Sequence, residues 1–167
     1  VVVSKDPMVS KIAKNFDAVY LKERKTGLNK TVSEAIDWCV ERRAASVLVL
    51  PADVPLVAPT DLNRIFTFGA NASMVISPSR NGRGTNALLL TPPNVSPTFY
   101  GPHSFQRHIK EAKKLKISFH RYRSSRIALD IDTVKDLTYF ISLKAKETSA
   151  YKVLEKIKVT NKLKIHQ

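Results

Sequence analysis

Short apolar runs alternate with longer segments in which apolar residues recur every three or four positions. Val1-Val-Val3 reads as the end of a buried strand, Pro7 to Asn15 as a short helix, and Ala18-Val-Tyr-Leu21 as a second strand. Between Lys30 and Arg43, residues Val32, Ala35, Ile36, Cys39 and Val40 share one helical face. Ser46-Val-Leu-Val-Leu50 is a continuous apolar run closed by Pro51, which predicts a central parallel strand buried on both faces. Pro59 and Thr60 open a helix through Phe66, and Ser73 to Ser77 is another strand. The polar loop Arg80 to Thr85 leads into a strand over Asn86 to Thr91, and Pro92 to Pro97 is a surface excursion. A helix from Ser104 to about Leu115, strands over Ile117 to Arg121 and Ile127 to Ile131, and helices over Thr133 to Lys146 and Ala150 to Ile157 complete the pattern. Strands alternating with helices predict an open α/β sheet, mostly parallel. In such sheets ligands bind beyond the carboxyl ends of the strands. That selects the loops after Leu50, after Ser77 and around Asp130.

Composition narrows the class. A chain of 167 residues with 43% apolar content can bury one core and forms one domain. No apolar run is long enough to cross a bilayer. The single cysteine, Cys39, cannot form an internal disulfide, which fits a reducing, cytoplasmic setting. No signal peptide is visible, and the chain opens with Val rather than Met, so the natural N-terminus is expected to lie outside this sequence. The net charge of +14 suits nucleic acid, a salt-tolerant or hot-living source, or polyanionic substrates. Little aromatic interleaving and no nucleic-acid motif speak against the first of these.

Three constellations carry candidate chemistry. In Pro51-Ala-Asp53-Val-Pro55-Leu56 a carboxylate sits just past a strand, between two prolines that fix its aim. A rigid carboxylate there suits a hard cation such as Mg²⁺ shared with substrate phosphates. Asp53 stands too far before Thr60 to cap the next helix. In Leu129-Asp130-Ile-Asp132-Thr133-Val-Lys-Asp136, alternation places Asp130 and Asp132 on one side of an extended segment. Here a second reading stays open, in which Asp132 or Thr133 caps the following helix, with Thr133 and Asp136 forming a capping-box pattern. The third constellation joins Gly84-Thr85-Asn86 to Tyr100-Gly101-Pro-His-Ser104-Phe-Gln-Arg107-His108. Gly84 permits close backbone approach, Thr85 offers an amide and a hydroxyl, and the free amides of a helix starting at Ser104 attract anions. Arg107 and His108 add donors. The plain alternative is a turn with a serine N-cap.

Pro-Ala-Asp-Val-Pro-Leu, Gly-Thr-Asn-Ala-Leu, Tyr-Gly-x-x-Ser-Phe-x-x-His and Leu-Asp-Ile-Asp-Thr-x-x-Asp-Leu, in that order, resemble the 2-phospho-L-lactate guanylyltransferase family, from about Val1 to Leu137. Gly27-Leu28-Asn29 resembles that family's element near the nucleotide. The resemblance implies a Rossmann-like nucleotidyltransferase of glycosyltransferase-A type, occupying residues 1–167 as one domain. It implies that GTP and 2-phospho-L-lactate, or phosphoenolpyruvate, yield a diphosphate-linked guanosine and pyrophosphate, in biosynthesis of the deazaflavin coenzyme F-420. It also implies Mg²⁺ held by Asp53 and Asp132, with Asp130 as the alternative ligand. The small acid would be held by Thr85, Gly101 and Ser104, and the nucleotide would lie near Gly27 and Asn29. Relatives suggest a homodimer.

One departure stands out. The family's first strand and its basic loop, which wraps the triphosphate, have no counterpart before Val1, so the 167 residues alone are expected to turn over GTP weakly or not at all. The loop Arg80-Asn-Gly-Arg83-Gly84 reads equally as an aid to phosphate binding or as a solvated turn. The competing readings are another nucleotidyltransferase of the same fold, of the molybdenum-cofactor guanylyltransferase type, and a non-catalytic basic nucleic-acid-binding protein.

Overall fold

Helix α1 (Pro7–Lys14) connects the parallel pair β1 (Val2–Ser4) and β2 (Tyr20–Lys22) in the computed structural model, which describes residues 1–24 and 26–159. Asp6 starts α1 by accepting the Met8 N–H at 2.8 Å, and Pro7 fills the first helical position, where no N–H is needed. Helix α2 (Leu28–Glu41) follows, then β3 (Val47–Val49), α3 (Pro59–Gly69), β4 (Met74–Pro78) and β5 (Thr85–Leu90). Helix α4 (Ser104–Lys114), β6 (Phe119–Arg121), α5 (Ser125–Ala128), α6 (Val134–Ser142) and α7 (Ser149–Lys156) complete the chain.

Strands β3 to β6 form one sheet in the order β3-β5-β4-β6. β5 runs antiparallel to both neighbours, while β6 runs parallel to β4. The sheet is mixed, which corrects the mostly parallel expectation. The run Ser46 to Leu50 is not a central parallel strand either: within this sheet β3 pairs only with β5, antiparallel, and is half-buried. The run is apolar because both its faces are covered. Val47 and Val49 pack with Ile36, Phe105 and Ile109, whereas Leu48 and Leu50 pack with Ile65 and Ile127. Two covered faces say nothing of a strand's place in the sheet order. The central strands are β5, which is fully buried, and β4, which is buried but for Pro78.

The segment Ile127 to Ile131 is also not a strand. Ser124 caps the short helix α5, and Asn86 takes the carbonyls of Ile127 at 2.9 Å and Ala128 at 3.3 Å. These bonds occupy carbonyls that a ladder would need. Helix α6 stops at Ser142 rather than Lys146, and α3 runs on to Gly69.

Candidate active site

The loop after β3 carries Asp53. The Ile131 N–H donates to the Asp53 carbonyl at 3.0 Å, so one backbone bond holds the Asp53 turn against the Asp130–Asp132 segment. Asp53 and Asp132 are exposed and Asp130 is half-buried. Partial withdrawal from water raises the Asp53 carboxyl above its ordinary pKa, its own backbone N–H works the other way, and the charges of Asp132 and then Asp130 raise it further. Thr133, not Asp132, caps α6. Its hydroxyl pairs with the Asp136 carboxylate at 2.7 Å, and Asp136 also accepts the Thr133 N–H at 3.1 Å. The capping alternative is therefore taken up by Thr133, and Asp132 has no capping duty. Among the described residues none of the three carboxylates joins an ion pair. Nor do three or more His, Cys, Asp or Glu among them stand close enough to hold a metal ion unaided.

What aims the two halves of the site is an irregularity in β5. Leu88 and Leu90 face α2 and α4, whereas Ala87 and Leu89 face α3 and α5. Strict alternation would send Asn86 toward α4 and Thr85 toward α5. The register shifts at Ser77/Pro78, where Ser77 pairs with Ala87 but Pro78 pairs with Thr85. The extra residue reverses the two side chains. Thr85 consequently reaches Ser104 and His108 of α4, and Asn86 reaches the carbonyls of α5. Adjacent residues of one strand thus hold the two sides of the site: Asn86 ties down the segment that leads into Asp130, and Thr85 meets the start of α4.

At the α4 side, the Ser104 hydroxyl and the Thr85 Oγ1 lie 3.1 Å apart, and Thr85 Oγ1 lies 3.2 Å from His108 Nδ1. Thr85, Ser104 and His108 are all buried. Ser104 is the first residue of α4 rather than its N-cap, a position held by His103 in a left-handed conformation. The first amides of α4 are not all free, contrary to expectation. Ser104 N–H donates to the Gly101 carbonyl and Phe105 N–H to the Arg83 carbonyl, each at 3.1 Å. Gly101 has φ +114°, which only glycine adopts without strain, and no atom lies within 4 Å of where a β-carbon would stand. The turn is therefore open beside Ser104. Gly84, by contrast, is close to its own hairpin, since a β-carbon there would come 2.9 Å from Ser79 Oγ.

Asn29 clamps the segment entering that turn. Its amide donates to the Tyr100 carbonyl at 2.8 Å and its oxygen accepts the Tyr100 N–H at 2.5 Å. Both ends of the side chain are committed to Tyr100, so Asn29 holds the Gly101 turn in place. Gly27 precedes α2 with φ +104°. A groove of about 470 Å³ opens on the α2 side of this clamp, lined by Asn29, Lys30, Asp37 and the Asn94–Thr98 excursion. Arg80 is exposed, but it does not point freely into water: it pairs with Asp136 at 2.6 Å and lies 4.6 Å over the Tyr139 ring. Arg83 is exposed.

Sequence reasoning missed Asp61. It is fully buried, and burial works against its charge. Arg126, the Ser124 and Tyr122 hydroxyls and the Ala58 N–H outweigh that and take its carboxyl to about 2. A helix-start position after Pro59-Thr60 was the available signal, but its side-chain partners lie more than sixty positions away.

The fold is that of the nucleotidyltransferases of nucleotide-diphospho-sugar transferase type. A solved structure from Desulfovibrio desulfuricans G20, described as such a transferase, superposes with a TM-score of 0.73 at 13% identity, over 93% of this chain and 71% of that one. Within that class, residues 1–166 match the family described as "Guanylyl transferase CofC like", and the chain belongs to it. It is 36% identical to a 2-phospho-L-lactate guanylyltransferase of Methanocaldococcus vulcanius, over 82% of this chain and 61% of that protein. It is also 36% identical to a phosphoenolpyruvate guanylyltransferase of Rubrobacter xylanophilus, over 81% of this chain and 67% of that protein. The matched part of the chain thus spans about three fifths to two thirds of these relatives. No helix among the described residues is long and apolar enough to cross a membrane.

Proposed function

We propose that the chain carries the acid-binding and metal-binding parts of a guanylyltransferase that joins GTP to 2-phospho-L-lactate or phosphoenolpyruvate, a step toward coenzyme F-420. Membership of the guanylyl transferase family supports the reaction class, and the named activities of the two relatives support the pair of acids. The observation that carries the reading is the backbone bond from Ile131 to Asp53, which holds the Asp53 turn beside the segment bearing Asp130 and Asp132, none of which has a basic partner among the described residues.

Mg²⁺ fits this donor set. Asp53 and Asp132 would hold it, with Asp130 as the alternative. Mg²⁺ ordinarily takes only one or two protein carboxylates and completes its shell with phosphate oxygens and water, so three ready ligands are not required. When bound, the ion supplies positive charge against the triphosphate and the departing pyrophosphate. The chain has 28 basic and 14 acidic residues, yet leaves these three acids unpaired among the described residues. Partial burial, and after it like charge, raise Asp53 in the absence of a cation.

Thr85 and Ser104 supply hydroxyls, and the open Gly101 turn supplies room, for the phosphate or carboxylate of the acid. The nucleoside lies in the groove beginning at Asn29. In the reaction an oxygen of the acid's phosphate bonds to the α-phosphorus of GTP, the bond from that phosphorus to the bridging oxygen breaks, and pyrophosphate leaves. No proton need move to or from a side chain, because the attacking phosphate is already anionic. The protein's part is to position and to balance charge.

The test is pyrophosphate release with GTP, Mg²⁺ and each acid in turn. It uses the 167-residue chain alone and an extended form that carries whatever precedes residue 1 in the natural protein. Release with at least one acid from the extended form, abolished by Asp53→Asn, is expected. If neither acid supports release there and Asp53→Asn changes nothing, the assignment fails.

A further inference from the structure

His108 is fully buried on α4, with the rings of Phe99 and Tyr100 edge-on at 5.9 and 5.4 Å. Both of its ring nitrogens are engaged. Phe99 N–H lies 2.9 Å from Nε2, and Thr85 Oγ1 lies 3.2 Å from Nδ1. A backbone N–H can only donate, so Nε2 presents its lone pair. Burial first, and the nearby Arg107 charge as well, hold the ring's pKa down to about 4 against a smaller opposing pull from the Ser104 backbone, so the ring is neutral at pH 7. A neutral imidazole with a bare Nε2 carries its single proton on Nδ1. That proton is donated to Thr85 Oγ1.

The consequence lies in counting protons. Thr85 accepts from the ring, and one of the two hydroxyls donates to the other. One hydroxyl proton is then left over, whichever way the Ser104–Thr85 bond points. With the opposite tautomer the count closes: Thr85 would donate to Nδ1, Ser104 would donate to Thr85, and no donor would remain.

We propose that His108 is a positioning residue that sets the polarity of the Thr85–Ser104 hydroxyl pair, so that the pair presents one spare O–H to an acceptor-only anionic oxygen of the small acid. Phe99 N–H fixes the tautomer, and the same bond steadies the segment that Asn29 clamps at Tyr100, one residue before Gly101. His108 therefore supports both the donor pair and the open turn without touching substrate. The anion assignment rests on the function proposed above, whereas the tautomer does not.

The first measurement is a long-range ¹H–¹⁵N correlation spectrum of the imidazoles in the intact 167-residue chain at pH 7, with His108 assigned by its loss in His108→Asn. A proton on Nδ1 and a bare Nε2 are expected. A proton on Nε2 overturns the inference and leaves the proposed reaction standing. The second is titration with phosphoenolpyruvate and with 2-phospho-L-lactate, followed at the Thr85 amide. His108→Leu is expected to weaken binding of the acid by about tenfold or more while leaving GTP binding unchanged. His108→Asn, which returns a donor near the Nδ1 position, is expected to recover part of that loss. Equal acid affinity in the unaltered chain and in His108→Leu overturns the inference. Failure of both acids to bind any form, with the proton on Nδ1, overturns the proposed acid substrates and with them the anion assignment of the spare hydroxyl. The spectrum needs no variant to fold beyond its assignment, which the adjacent Thr85 signals also supply.

Discussion

Asp61 and Asp53 stand a few residues apart and are treated in opposite ways. Asp61 is fully buried and its two oxygens accept five hydrogen bonds, from Arg126 twice, Tyr122, Ser124 and the Ala58 N–H. Asp53 reaches solvent beside Asp130 and Asp132, and no basic side chain pairs with it among the described residues. The first carboxyl is held well below the ordinary range, whereas the second is raised from its ordinary value, by partial burial first and by like charge as well. The difference separates two uses of the same side chain. A carboxylate whose acceptor capacity is filled by the protein ties elements together; here Asp61 joins α3 to the β6–α5 connection. A carboxylate left facing like charge, in a chain rich in lysine and arginine, is free for the cation that the proposed function requires.

Exchanging the two treatments gives the sharpest tests. Asp53→Asn is expected to cut pyrophosphate release by roughly a hundred- to a thousandfold, because it removes charge that the proposed function assigns to the metal while leaving packing intact. Its unfolding midpoint without metal should not fall, since relief of like charge offsets any lost contact; a clear loss of stability would make Asp53 a structural residue. Asp61→Asn should do the reverse and cost about 2 to 3 kcal/mol in urea unfolding, because Arg126 loses its counter-charge and the hydroxyl donors lose an acceptor.

The pH dependence sharpens the same contrast. Asp61 has a lower pKa folded than unfolded, so its contribution of about 2 kcal/mol is complete above the ordinary carboxylate range near pH 4. It fades as the pH falls toward 2 and the folded carboxyl takes up its proton. The stability gap between the unaltered chain and Asp61→Asn should shrink over that window, and a gap that stays constant would contradict the ionised network. The smallest effect belongs to Arg80→Ala. Its ion pair with Asp136 is half-exposed, so the loss should stay under about 1 kcal/mol, seen in the same unfolding measurement.

Much of this contrast is legible in the amino-acid sequence. The two prolines around Asp53 and its distance from the next helix exclude capping, and Thr133 with Asp136 announces the capping box that leaves Asp132 free. Helix faces follow from spacing, as Ile36 in α2 and Phe105, Ile109 and Ala112 in α4 show. What escapes is set by partners distant in sequence. Nothing local in Thr85-Asn86 reveals that a register shift reverses their facing. His108 reads as a donor near a helix start, yet the fold buries it and uses both nitrogens. Asn29 reads as a nucleotide neighbour, while its amide grips Tyr100, which lies 71 positions away. Ile127 to Ile131 has a strand's composition, and Asn86 claims its carbonyls.

Under the proposed function, Asp53 and Asp132 take up a divalent cation. The direct measurement is paramagnetic broadening of backbone amide signals as Mn²⁺ is added to the chain with GTP. Residues 51–56 and 129–133 should broaden first, and Asp53→Asn should abolish that selectivity. Broadening centred elsewhere, or unchanged in Asp53→Asn, would contradict the account.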